Sequence, residues 1–121
     1  MRIKIVGPCA SGKSVLAANL RARGYEAITA AQDHSFVPDM WQRLNPPDLL
    51  IYLDVTLKAS QERGRTGIGW DQDYLDEQHH RLRHARAHCD LYLPTEDLSQ
   101  KEVLARVLEY LQSLNLGVEE V

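Results

Sequence analysis

Apolar positions along this chain recur with two periods, and the alternation between them predicts the elements. Residues 2–6 (RIKIV) alternate polar and apolar with β-branched side chains, the period of a strand. From Gly12 or Lys13 the spacing becomes helical through residue 23, and Gly24 supplies a left-handed stop. Residues 25–29 (YEAIT) predict a second strand. The next stretch, 30–44, is the least regular, with Pro38 suited to the first turn of a short helix and Asn45-Pro46-Pro47 ending it. LLIYLDV (49–55) is an almost unbroken apolar run, the signature of a strand covered on both faces. Residues 57–63 read as helix, 64–70 (GRTGIGW) as a glycine-rich loop, 71–89 as one long helix and 89–93 as a short strand. Ser99 with Glu102 forms a capping box. Val103, Leu104, Val107, Leu108, Leu111 and Leu114 then continue at helical spacing.

Strands that alternate with helices predict an α/β domain: a small parallel sheet of about four strands, the first one central, with helices on both sides. The 121 residues fit one domain, and no repeat or linker divides them. A net charge of -3 with 26% charged residues gives no sign of a nucleic-acid or membrane binder. The apolar start is broken by Lys4 and stops at Gly7, too short for a signal peptide or membrane span, so the expected compartment is the cytoplasm. Cys9 and Cys89 form no C-x-x-C pair and are expected as free thiols.

The chemistry concentrates in GPCASGKS (7–14), which meets G-x-x-x-x-G-K-[ST] at Gly7, Gly12, Lys13 and Ser14 between a predicted strand and a predicted helix. The glycines permit backbone angles and close approaches that a Cβ forbids. Main-chain N–H groups from Ala10 to Ser14 can then converge on a phosphate, helped by the positive end of the helix. Lys13 would bridge β- and γ-phosphates and the Ser14 hydroxyl would hold Mg²⁺. Pro8, Cys9, Ala10, Ser11 and Val15 complete the expected nucleotide-contacting run. The alternative is a glycine-rich turn that happens to contain Lys-Ser.

With these flanks the chain resembles the P-loop kinases of small molecules, the superfamily of thymidylate, adenylate, shikimate and dephospho-coenzyme A kinases. Residues 47–65 (PDLLIYLDVTLKASQERGR) are similar to the segment in which a strand leads through a helix to the arginine-bearing lid. Residues 89–111 are similar to the closing strand and helix. The resemblance implies a three-layer α/β/α P-loop NTPase fold, ATP as phosphoryl donor and Mg²⁺ as partner. It implies Arg63 near the adenine, Arg65 reaching the transferred phosphoryl, and Thr95 on the other side of the base; solvated helix-end charges are the alternative for both arginines.

The departures bear on the acceptor. Only about twenty-five residues separate the first helix from the 49–54 strand, so the helical acceptor-binding insertion is missing, as is a separate strand with a D-R pair. Asp33 is the first candidate for a carboxylate that orients a nucleophile or holds Mg²⁺ through water, with an Asx-turn cap as its alternative. Asp54, at the end of an apolar strand, is the second metal candidate, although this strand does not carry the metal carboxylate in the kinases resembled. Asp76, His80, His84 and His88 recur at i+4 like a metal stripe, but the angle to Leu75, Leu82, Ala85 and Cys89 predicts a solvated face. Arg81 or Arg83 is expected to turn inward toward the lid. Phe36, Met40, Trp41 and Trp70 are candidates for stacking on an acceptor, for core packing, or for a homodimer surface that completes a site. The expected activity is γ-phosphoryl transfer from Mg·ATP to a small hydroxyl or phosphate acceptor. An NTPase or nucleotide-sensing switch is the alternative, and a partner-binding domain is a third.

Overall fold

Side chains of β1 (Arg2–Val6) point alternately to two faces, and each face builds its own core. The computed structural model describes residues 2–8, 11–29, 39–43, 46–63 and 71–114. On one face Ile3 and Ile5 join Leu16, Ala17 and Leu20 of α1 (Lys13–Ala22) and Val103, Val107 and Leu111 of α6 (Gln100–Ser113). On the other, Val6 packs with Trp41 of α2 (Met40–Arg43), and with Leu82 and Ala85. Burial on both sides explains the apolar run of β3 (Leu49–Asp54): Leu49, Ile51 and Leu53 enter the first core, Leu50 and Tyr52 the second.

With β2 (Glu26–Thr29) and β4 (Leu91–Pro94), these strands form one parallel sheet in the order β2-β1-β3-β4. The first strand is interior, as expected for α/β. Register is pinned by two aspartates just before their strands. The Asp48 amide donates to the Arg2 carbonyl at 2.9 Å and its carboxylate accepts from the Arg2 amide at 2.7 Å. Asp90 repeats this with Leu50, at 2.8 Å each way.

Gly24 adopts φ 94° past the end of α1, and its amide and that of Tyr25 cap the carbonyls of Arg21 and Leu20. Thr56 caps α3 (Leu57–Glu62) through the Ala59 amide. The capping box at Ser99 and Glu102 is present, with both hydrogen bonds made.

The stretch 71–89 differs from expectation. It forms two helices, α4 (Gln72–Arg81) and α5 (Arg83–His88), joined at Leu82 with φ −94° and ψ 3°. Leu82 is fully buried in the second core, and the Arg83 guanidinium takes the carbonyl of His80 at 2.7 Å beside the break. The final strand starts two residues later and ends one later than predicted, with Asp90 used to clamp β3. Among the described residues, no helix is long and apolar enough to cross a membrane.

Candidate functional site

At the carboxyl end of β1 the chain turns where a side chain could not follow. Gly7 has φ 154°, and a Cβ there would lie 2.0 Å from the Leu53 carbonyl oxygen and 2.9 Å from Ser11 Oγ. Its hydrogen lets the loop rest directly on the end of β3. Gly12 is the other extreme: φ 99° is left-handed, yet among the described residues a Cβ there would meet nothing within 4 Å. As far as the described residues go, the space in front of the helix start is open.

Gly12 caps α1 without a side chain, and the first intrahelical bond is from the Leu16 amide to the Gly12 carbonyl at 3.1 Å. The first turn of α1, from Lys13 to Val15, is the positive end of the helix dipole, where main-chain N–H groups point out of the helix. Lys13 folds back over the loop, its Nζ donating to the Gly7 carbonyl at 2.5 Å. Ser14 is exposed beside it. Ser11 is 1% exposed, and its Oγ has no hydrogen-bond partner. Cys9 and Ala10 lie outside the described residues.

Thr95 ties this loop to the rest of the sheet's carboxyl edge. Its hydroxyl is 3.1 Å from the Ser11 carbonyl and 2.9 Å from the Asp54 carbonyl, and it accepts from Arg63 Nη1 at 3.1 Å. The second Arg63 nitrogen donates to the Thr95 carbonyl. Arg63 and Thr95 are thus joined directly to each other rather than set on two sides of a gap. They line a cleft of about 440 Å³ with Ser11, Gly12, Val15 and Leu98, within the size range of small-molecule sites. Arg65 and Asp33 lie outside the described residues, as do Phe36 and Trp70.

The carboxylate of Asp54, the second metal candidate, accepts three hydrogen bonds from protein donors. His79 Nε2 is 2.7 Å from Oδ1, the Val55 amide donates to Oδ1 at 2.8 Å, and the Tyr92 hydroxyl donates to Oδ2. Burial alone would raise this carboxyl, but the bonds from His79, Tyr92 and Val55 outweigh it and hold it below the ordinary 3.8. Tyr92 is pushed up to about 12 by burial and by its bond to Asp54. Tyr52, stacked on Tyr92 at 5.5 Å, is fully buried with an unpartnered hydroxyl, and burial drives its pKa upward too.

His79 escaped the sequence reading, which followed the i+4 stripe of Asp76, His80, His84 and His88. The signal was present: Leu75, Gln78, His79 and Leu82 follow the i, i+3, i+4, i+7 pattern of an inward face. The stripe itself is only partly solvated. His84 is half-buried and accepts from the Trp41 indole at 3.0 Å, with His88 stacked on it at 4.2 Å, because α2 docks there. Among the described residues no group of three or more His, Cys, Asp or Glu could hold a metal ion. Of the arginines here, Arg81 pairs with Glu77 at 3.1 Å, Arg83 with the His80 carbonyl, and Arg86 lies 4.8 Å over the Tyr92 ring; residues 64–70, the lid toward which Arg81 or Arg83 is expected to turn, lie outside the described residues. Comparison of the chain with protein-family models and with curated protein sequences returns no match.

Proposed function

We propose that this chain binds a magnesium nucleoside triphosphate, ATP in the first instance, on the 7–14 loop and transfers its γ-phosphoryl group to a small acceptor. The observation that carries the reading is the contrast between the two glycines. Gly7 is required so that the loop can pack on Leu53, while Gly12 leaves open space before the uncapped first turn of α1. The residues fit a polyphosphate: main-chain donors, the Lys13 ammonium and the orphaned Ser11 hydroxyl converge on one loop. Bound phosphate oxygens would take Lys13 from the Gly7 carbonyl and give it charged partners.

Ser14, exposed in the first turn, would hold Mg²⁺, which supplies neutralisation of phosphate charge. The base would enter the cleft that Arg63 and Thr95 line together, where a guanidinium plane can stack on a ring. Arg65 keeps the role that the resemblance implies, toward the transferred group, and Asp33 remains a candidate carboxylate for orienting the nucleophile or holding Mg²⁺ through water. Catalysis on this reading is placement and charge stabilisation rather than covalent chemistry by the protein.

The test is to incubate the full chain and Mg²⁺ with ATP labelled at the γ-position, alone and with a panel of nucleosides, nucleotides and small metabolites. Label moving to an acceptor is the expected result. Phosphate release that ignores every acceptor would make the protein a hydrolase, and absence of both would remove the enzymatic reading.

A further inference from the structure

We infer that His79, held by Asp54, is the base that takes a proton from the nucleophile, and that the nucleophile is therefore an un-ionised O–H group, an alcohol or water, rather than a phosphate. This rests on the phosphotransfer reading above and names the acceptor chemistry of that same site.

An ionised carboxylate only accepts, so Nε2 of His79, 2.7 Å from Asp54 Oδ1, carries the proton. In the neutral ring the lone pair is then on Nδ1, a proton acceptor with fixed direction. Three donors on Asp54 leave its carboxylate little freedom to turn, so the ring is oriented as well as polarised. The Asp54 side chain is 14% exposed and that of His79 30%, so more of the imidazole than of the acid is open to solvent.

The location agrees with that role. In the strand order β2-β1-β3-β4 the chain leaves β1 toward β2 and leaves β3 toward β4, so the connections diverge between β1 and β3. Open parallel sheets bind ligands in the crevice at such a point. Asp54 ends β3 there, next to the Leu53 carbonyl on which Gly7 rests, and the single Thr95 hydroxyl stands between the Asp54 carbonyl and the phosphate loop.

The step balances without a further reagent. The acceptor oxygen forms a bond to the γ-phosphorus as its proton passes to Nδ1. The bond from phosphorus to the β–γ bridging oxygen breaks, its electron pair leaving with the nucleoside diphosphate. The imidazolium is paired with Asp54 until the proton goes to solvent. A phosphate monoester needs no such base, since it is ionised near neutrality, and its charge would be repelled by Asp54.

Binding of Mg·ATP by calorimetry tests the parent reading, and transfer tests the dyad. The assay offers labelled ATP to the full chain with neutral alcohols (nucleosides, sugars, amino alcohols), with nucleoside monophosphates, or with water alone. Label is expected on an alcohol or in released phosphate. His79→Gln should cut that rate by about 10²–10⁴-fold with ATP affinity unchanged and the fold still cooperative. Asp54→Asn, which keeps an acceptor for the Val55 amide, should cut it less and abolish the downfield Nε2–H signal of His79 in proton NMR. Label arriving on a monophosphate, ATP binding without any transfer, or His79→Gln within threefold of wild type would each overturn the dyad while leaving the nucleotide site intact. Failure to bind ATP would overturn both.

Discussion

The Thr95 hydroxyl lies 3.1 Å from the carbonyl oxygen of Ser11, a residue 84 positions earlier, and so fastens the 7–14 loop to the end of β4. One proton serves two carbonyls, those of Ser11 and Asp54, while the oxygen accepts from Arg63. Thr95→Val keeps the shape and removes the hydroxyl, leaving buried groups unsatisfied. Urea unfolding should show a loss of about 1–3 kcal/mol, and Thr95→Ser should recover most of it. The Val variant should also weaken ATP binding, because Arg63 loses one of its anchors on the cleft wall.

The two loop glycines should respond oppositely to the same substitution. Gly7→Ala puts a methyl 2.0 Å from a backbone oxygen of β3, which cannot rotate away. That variant should lose more than about 4 kcal/mol or fail to fold. Gly12→Ala meets no atom within 4 Å and carries only the strain of a left-handed alanine, about 1–2 kcal/mol. Its thermal denaturation should stay close to wild type while its ATP affinity falls, since the methyl occupies the space assigned to phosphate. Equal stability of the two variants would contradict the packing described here.

Much of this was legible in the residues themselves. Period-two and apolar runs located β1 and β3, and the cap residues Gly24, Ser99 and Glu102 located helix ends, because those signals are local. The loop was legible because glycine, lysine and serine at fixed spacing describe a backbone shape. What escaped depends on tertiary contact. At Leu82 no glycine or proline marks the break between the helices; it coincides with Leu82 buried in the second core and with Arg83 taking the His80 carbonyl. His79 was hidden by a more conspicuous stripe of histidines, and its meaning came only from Asp54, 25 residues away.

Acid and alkali should reveal the Asp54 cluster from both sides. Asp54 titrates below its ordinary 3.8 in the fold, so the unfolded chain binds more protons there as pH falls. Its stabilising contribution is complete above about pH 4–5 and is lost as pH drops through the native value. Tyr92 is shifted the other way, to about 12. Its contribution is complete below about pH 10 and is lost as pH climbs toward 12. Urea unfolding of Asp54→Asn should therefore show a flatter acid limb than wild type. The difference between wild type and Tyr92→Phe in phenolate absorbance should report a midpoint well above that of an exposed tyrosine.

The central claim is that residues 7–14 hold the phosphates of a nucleotide, and calorimetric titration with Mg·ATP and Mg·GTP tests it most directly. The account predicts one saturable site with a dissociation constant of about 1 mM or tighter, weakened at least about tenfold by Lys13→Ala, whose fold should be intact. No saturable heat with either nucleotide, or equal affinity for wild type and Lys13→Ala, would contradict it.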